Sequence, residues 1–199
     1  LRDGGIGVML ILRLPGVIPA GSVTDALVSQ IDVFPTICDL IGCEKPNWLQ
    51  GQSLTGIFTR PDREVNTSIY SEVSYHAAYE PMRCIRTQRY KYIRFFEGAG
   101  IPLPINTDPS PSKTAFIQQG YYRNPRDSEM LFDLILDPTE GKNLVDLSSF
   151  HTIRDELRTT LQQWMQRTND LLLEGSVPRP TGTRLFKRHL ESTETRDFE

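Results

Sequence analysis

The sequence predicts an α/β end-piece followed by a small α+β unit, an antiparallel sheet with a C-terminal helix packed on it. Three observations carry that prediction. Short apolar runs bounded by Pro and Gly precede a helix-spaced stripe in the first third, aromatic-rich segments around a polar turn form a hairpin, and a long stripe of period 3.6 occupies residues 153–172. At 199 residues the chain is long enough to bury a core of its own.

Residues 7–14 form an apolar run stopped by Pro15-Gly16, the pattern of a buried strand ending at a turn. Ala26, Leu27 and Val28 suggest a second short buried strand. A helix is expected next. Asp32 is a good N-cap, and Pro35 fits a first turn, where its missing N–H costs little. Phe34, Ile37, Leu40 and Ile41 recur at helical spacing before Gly42, so that face is expected to pack inward. A polar loop over 45–54 leads to a strand over 68–73, and Pro81 is expected to break the chain.

Residues 83–86 and 90–96, joined by the polar turn 87–89, make the hairpin. Residues 98–127 are rich in Pro, Gly, Ser and Asn with little periodicity, which predicts a long surface loop. A strand over 131–136 ends at Asp137-Pro138. Ile153, Leu157, Leu161, Trp164, Met165, Leu171 and Leu172 then share one face of a helix that Ser148 or Ser149 can cap. The polar residues after Pro178 predict an extended or disordered tail. The expected organisation is 1–80 as the end of an α/β domain, 81–177 as the α+β subdomain and 178–199 as the tail.

A net charge of −3 gives no basic field for a polyanion, so no nucleic-acid partner is expected. The longest apolar run, 8–12, is far short of the roughly 20 residues of a membrane span. The chain opens on Leu1 without a signal-peptide pattern, so a removed start or a fragment is expected. Cys38, Cys43 and Cys84 show neither a C-x-x-C nor a zinc spacing and are expected to be small buried side chains.

The motifs narrow the function. Residues 1–11, Leu-Arg-Asp-Gly-Gly-Ile-Gly-Val-Met-Leu-Ile, resemble the segment L-Y-E/D-G-G-I-R/G-V-P-L-I of sulfatases, and Arg13-Leu14-Pro15-Gly16 resembles the R-W-P-G after it. Residues 28–36 are similar to V-S-x-x-D-x-x-P-T, and Gly51-Gln52-Ser53-Leu54 to G-x-S-L. Residues 82–93 resemble the R-x-V/I-R-T-x-x-Y-K-Y-I hairpin. Leu131-Phe132-Asp133-Leu134, Asp137-Pro138, Glu140 and Asn143-Leu144 resemble E-L-Y-D-L-x-x-D-P-x-E-x-x-N-L. The blocks stand in family order; Met9 and Leu14 depart from it, where proline and tryptophan are usual. The chain thus resembles the C-terminal portion of a type I, formylglycine-dependent sulfatase of the alkaline-phosphatase-like superfamily. The segment 75–81 points toward heparan N-sulfatases and their bacterial, arylsulfatase-like relatives.

This resemblance implies hydrolysis of sulfate esters or sulfamates, on a sulfated glycan such as a glycosaminoglycan or on an aryl sulfate. It also implies a formylglycine made from a Cys in C-x-P-S/A-R, and calcium or another divalent cation held by Asp-Asp and Asp-Asn pairs. None of these motifs occurs in the chain. The catalytic residues are therefore expected in a missing N-terminal sulfatase region, and the isolated chain is expected to be inactive. Family members are commonly periplasmic, secreted or lysosomal.

For substrate contact the candidates are His76, Glu72, Tyr75, Tyr79, Glu80 and Arg83. His76 sits in an aromatic, Pro-bounded segment and can donate to a sulfate or sugar hydroxyl, or equally can fix a loop. Each of the others has a structural reading as well. The basic series Arg83, Arg86, Arg89, Lys91 and Arg94 can bind a polysulfated chain or form a solvated hairpin face. Asp133 and Asn143 are expected in turns and caps. Two competing functions stand beside the sulfatase: a phosphonate or phosphate ester hydrolase of the same superfamily, and a non-catalytic glycan-binding or structural module. The apolar run 7–12 without neighbours predicts self-association of the isolated chain.

Overall fold

Four consecutive antiparallel strands, β1 (Ile69–Tyr75), β2 (Tyr79–Arg86), β3 (Tyr90–Phe95) and β4 (Glu129–Asp133), lie in that order in one sheet. The computed structural model describes residues 1–97, 100–192 and 194–198. Before the sheet come α1 (Asp3–Ile6), α2 (Val33–Ile41) and α3 (Thr55–Thr59). Between β3 and β4 lies α4 (Pro111–Gln118), and α5 (His151–Arg167) follows the sheet.

Alternation along the strands gives the sheet two buried faces. Ile85, Tyr92 and Leu131 are cross-strand neighbours and meet Leu157, Leu161 and Met165 of α5, with Leu144 and Val145 filling in. Tyr70 stacks on Trp164 at 4.7 Å. The opposite face carries Cys84, Ile93, Met130 and Phe132, covered by Leu1, Phe95 and Leu134. The predicted helix therefore does lie across the predicted hairpin.

Lys91 belongs to that second face, opposite Phe132 in the register, and is fully buried. Its ammonium contacts the Asp3 carboxylate and lies 2.6 Å from Glu140 Oε1. Asp3 also receives Arg86 Nε at 3.3 Å, and the Asp3 amide donates to Glu140 Oε2 at 2.8 Å. Glu140 reaches this position from a left-handed backbone, φ 56°, in the turn after Asp137-Pro138. One cation thus joins the first residues of the chain, the third strand and the loop after the fourth. On the other face Arg83, also buried, makes a two-point contact with Asp170 beyond the end of α5, at 2.5 and 3.0 Å. Neither Arg83 nor Lys91 is part of a solvated hairpin face: on a sheet covered on both sides, inward-facing cations are held by carboxylates instead of water.

The N-terminal third departs from expectation. Residues 7–14 are extended but form no strand, and Val8, Met9 and Ile11 are exposed, Met9 at 84%. A strand needs a neighbour to bond and a face to cover it, and among the described residues none lies beside this run. Residues 26–28 are likewise unpaired, although Leu27 is buried and Ala26 and Val28 pack against Leu54, Ile57 and Phe58. Helix α2 forms where expected but buries the other face. Pro35, Thr36 and Cys38 point inward, while Phe34, Ile37, Leu40 and Ile41 are exposed.

A polar hub explains that orientation. The Asp32 carboxylate accepts from the Ser29 amide (2.8 Å), the Gln52 amide (2.7 Å) and Asn66 Nδ2 (2.9 Å). Thr36 Oγ1 donates to the Asp32 carbonyl and accepts from the Leu54 amide. A Cβ at Gly51 would stand 2.1 Å from the Ile31 carbonyl oxygen, so only glycine permits this approach.

Pro81 does not break the chain. It lies inside β2, where the pairing to β1 shifts register between Val73 and Tyr75, so its missing N–H is tolerated and the expected division at residue 80 falls within this strand. The expected loop over 98–127 contains α4, started by Ser110, whose hydroxyl accepts from the Lys113 amide, and by Pro111 at the first helical position; its residues 98 and 99 lie outside the described residues. Strand β4 ends at Asp133, earlier than 136, because its carboxylate accepts from the Ile135 and Leu136 amides. Helix α5 begins at His151 with no side-chain cap from Ser148 or Ser149, which lie in a preceding 3-10 turn. Leu171 and Leu172 lie beyond α5 in another such turn. Cys43 is exposed, unlike Cys38 and Cys84.

Removing Lys91 leaves two carboxylates at a buried position without their cation, so Lys91→Met should destabilise the chain by about 3–5 kcal/mol, seen as a lower denaturant midpoint. A midpoint unchanged from wild type would show that the contact contributes nothing. Acid should unfold the chain through its paired carboxylates. Burial opposes ionisation of Asp3 and Asp170, but Lys91 with Arg86, and Arg83 with the Leu172 amide, outweigh it and hold both below their ordinary range; Arg89 does the same for Asp133. A folded value below the unfolded one, about 3.9, means stability is fully present above that pH and falls as pH drops through the folded values. Asp170→Asn should flatten that acid limb in a pH series of denaturant melts; an unaltered limb would remove Asp170 from it.

Candidate functional site

The β1–β2 hairpin tip gathers most of the candidate residues. Tyr75 and Tyr79 close the ladder as a pair, their rings 4.7 Å apart, and residues 76–78 turn between them. The His76 amide donates to the Ala78 carbonyl at 3.3 Å, which leaves the imidazole exposed at the apex. Among the described residues the ring has no hydrogen-bond partner.

Two sets of contacts hold the tip. The Tyr75 hydroxyl donates to the Val177 carbonyl at 2.6 Å, and the Val177 amide donates to the Tyr79 hydroxyl at 2.9 Å. Burial, with Tyr79 adjacent, keeps the Tyr75 phenol above its usual range, so it remains a neutral donor. On the other side Glu80 is buried, accepting from Arg126 Nη1 at 2.6 Å and from Asn106 Nδ2 at 3.0 Å. Asn106 also takes the Ala78 amide at 2.8 Å, and Arg126 lies 4.0 Å from the centre of the Phe95 ring. Arg126 and Asn106 come from the segment expected to lack structure; what marked them was only their polarity next to Pro-rich sequence.

Residues after Pro178 complete the tip. The Phe186 amide donates to the Ala77 carbonyl at 3.0 Å, and Phe186 and Leu190 pack on Ala78, Leu103 and Ile105. Phe186 pairs with Phe198, and Arg188 reaches Glu97 at 2.7 Å. The tail's described residues thus run through successive turns and fold back over the hairpin; residues 193 and 199 lie outside them.

Of the six candidates, His76 and Glu72 present side chains to solvent. Glu72 lies 3.2 Å from Arg83 Nε, and Arg83 directs all three guanidinium nitrogens to protein acceptors: Asp170, the Val73 and Met82 carbonyls and Ser74. Tyr75, Tyr79 and Glu80 hold the tip through the bonds given above. The arrangement is a rigid support for an exposed imidazole able to donate to or accept from a polar ligand.

Among the described residues no group of three or more His, Cys, Asp or Glu side chains is placed to hold a metal ion. Burial pushes the Cys84 thiol up to about 12, and Cys38 is raised by burial and by the neighbouring Cys43 thiol. Among the described residues the donors present fit neither a divalent cation nor a formylglycine. Among the described residues no helix is long and apolar enough to cross a membrane.

Comparison with known proteins agrees with the motif order. An ulvan-active sulfatase of Formosa agariphila is 31% identical over 196 residues, 94% of this chain and 39% of that protein. A Δ4,5-hexuronate-2-O-sulfatase of Bacteroides thetaiotaomicron is 28% identical across 84% of this chain and 30% of its own length. The solved structure of a 2-O GAG sulfatase superposes with a TM-score of 0.60 at 25% identity, covering 83% of this chain and 31% of that one. The chain therefore spans about two fifths or less of these relatives. Residues 1–116, more than half of the chain, match the family described as N-sulphoglucosamine sulphohydrolase, C-terminal, and the chain belongs to that sulfatase family.

Proposed function

We propose that this chain is the C-terminal part of a sulfatase that hydrolyses sulfate esters or sulfamates on a sulfated glycan. The observation that carries this reading is the match along 94% of the chain to a sulfatase whose name gives ulvan as what it acts on. In this reading formylglycine and calcium, or another divalent cation, belong to an N-terminal sulfatase region. Residues 1–80 contribute mainly to its α/β domain and 81–177 to the α+β subdomain, with β1 joining the latter's sheet. The hairpin tip supplies His76, supported by Tyr75, Tyr79 and Glu80, as a contact to substrate.

Two exposed apolar surfaces support the division of labour. The run at Val8, Met9 and Ile11, and the α2 stripe at Phe34, Ile37 and Ile41, are too large and too close in sequence to be scattered surface residues. The N-terminal region is the partner that covers them. The isolated chain should therefore self-associate: sedimentation is expected to give oligomers, and a monodisperse monomer would overturn the assignment of these surfaces.

Activity tests the rest. The full-length enzyme should turn over sulfated oligosaccharide and aryl sulfate in preference to aryl phosphate; a preference for phosphate would overturn the sulfatase reading. His76→Ala should raise KM for the oligosaccharide about tenfold with kcat nearly unchanged, the pattern of a lost uniform contact. If KM does not move, His76 only shapes the loop.

A further inference from the structure

Cys38 and Cys43 lie apart from the hairpin tip, at the C-terminal end of α2. The helix stops in a left-handed residue, Gly42 at φ 70° and ψ 29°, and the Cys43 amide returns to the Cys38 carbonyl at 3.0 Å. This is the six-to-one hydrogen bond of a Schellman stop, a geometry that brings the side chains of its two end residues into contact. That contact is ordinarily apolar. Here both positions are cysteine, so the same geometry sets the two thiols toward each other across the helix end.

Their surroundings differ in a useful way. Cys38 is 2% exposed, whereas Cys43 is open to solvent. Lys45, beyond the cap, closes back on Asp39 at 2.8 Å, so the pair has an ammonium and a carboxylate beside it. Cys84 is remote from this arrangement, buried under the second face of the sheet with Ile93 and Phe132.

We propose that Cys38 and Cys43 form a modification site, a dithiol that closes into a disulfide across the end of α2 when the protein meets a low-molecular-weight disulfide oxidant. Cys43, as thiolate, attacks one sulfur of the oxidant; a mixed disulfide forms and one small thiol leaves with a proton. Cys38 then loses its proton, its sulfur attacks the Cys43 sulfur, and the second small thiol leaves. The protein has lost two hydrogens, and the oxidant's disulfide has become two thiols. The new bond fixes the direction in which the chain leaves α2 toward Gln52, whose amide completes the Asp32 hub.

Incubating the full chain with oxidised glutathione, quenching in acid, alkylating under denaturing conditions and weighing the tryptic peptides tests the site. The peptide spanning residues 14–63 should lack two hydrogens and accept no alkyl group until reduced, while the peptide containing Cys84 alkylates normally. Cys38→Ser should instead retain one glutathione on Cys43. Wild-type peptide that keeps glutathione on Cys43 with Cys38 alkylated, that keeps both thiols free, or that links two chains would overturn the proposal. The wild-type masses decide the matter whether or not the variant folds.

Discussion

The rest of this structure depends on a buried lysine. Lys91 lies fully buried on the sheet's second face, in the last pair of β2 and β3, and a solitary ammonium there would be prohibitively desolvated. Two carboxylates from distant parts of the sequence make the position tolerable, Asp3 from the first turn and Glu140 from the loop after β4. Because those carboxylates are themselves largely enclosed, the contacts are mutual requirements: the sheet is closed on that side only when both ends of the chain's central region arrive. Glu140 accepts a left-handed backbone to do so.

The same logic governs the other buried polar positions. Asp32 gathers three donors from segments before and after α2, Thr36 adds a link to Leu54, and Gly51 allows the backbones to approach. Arg83 is fixed by Asp170, Glu80 by Arg126 and Asn106. Motif residues that could be taken for substrate contacts are mostly joints of the scaffold. His76 differs because the scaffold supports the turn around it without using its ring. A side chain left unused on a tight, well-anchored turn combines rigidity with access.

Most of the sheet and the long helix was legible in the sequence, since period-2 alternation around a polar turn and a 3.6-period stripe are local signals. Helix α4 was legible in principle through Ser110-Pro111, but the surrounding Pro and Gly obscured it. The inward face of α2 was not legible. Hydrophobicity marked Phe34, Ile37, Leu40 and Ile41, yet the face that turns inward within this chain is set by Asp32 and Thr36, whose partners lie up to 34 residues away.

The sequence by itself determined the family, through motifs in a fixed order, and the β2–β3 hairpin and the long helix, through local periodicity; that β1 joins the same sheet was decided by the tertiary structure. Tertiary structure alone decided which charged residues are exposed and which are buried. Arg83, Lys91, Glu80 and Glu140 look like surface residues one at a time, and each becomes an interior residue only because an oppositely charged or hydrogen-bonding partner from elsewhere in the chain meets it there. Burial of a charge is a property of the pair, and pairing across dozens of residues is not written in any local stretch of sequence.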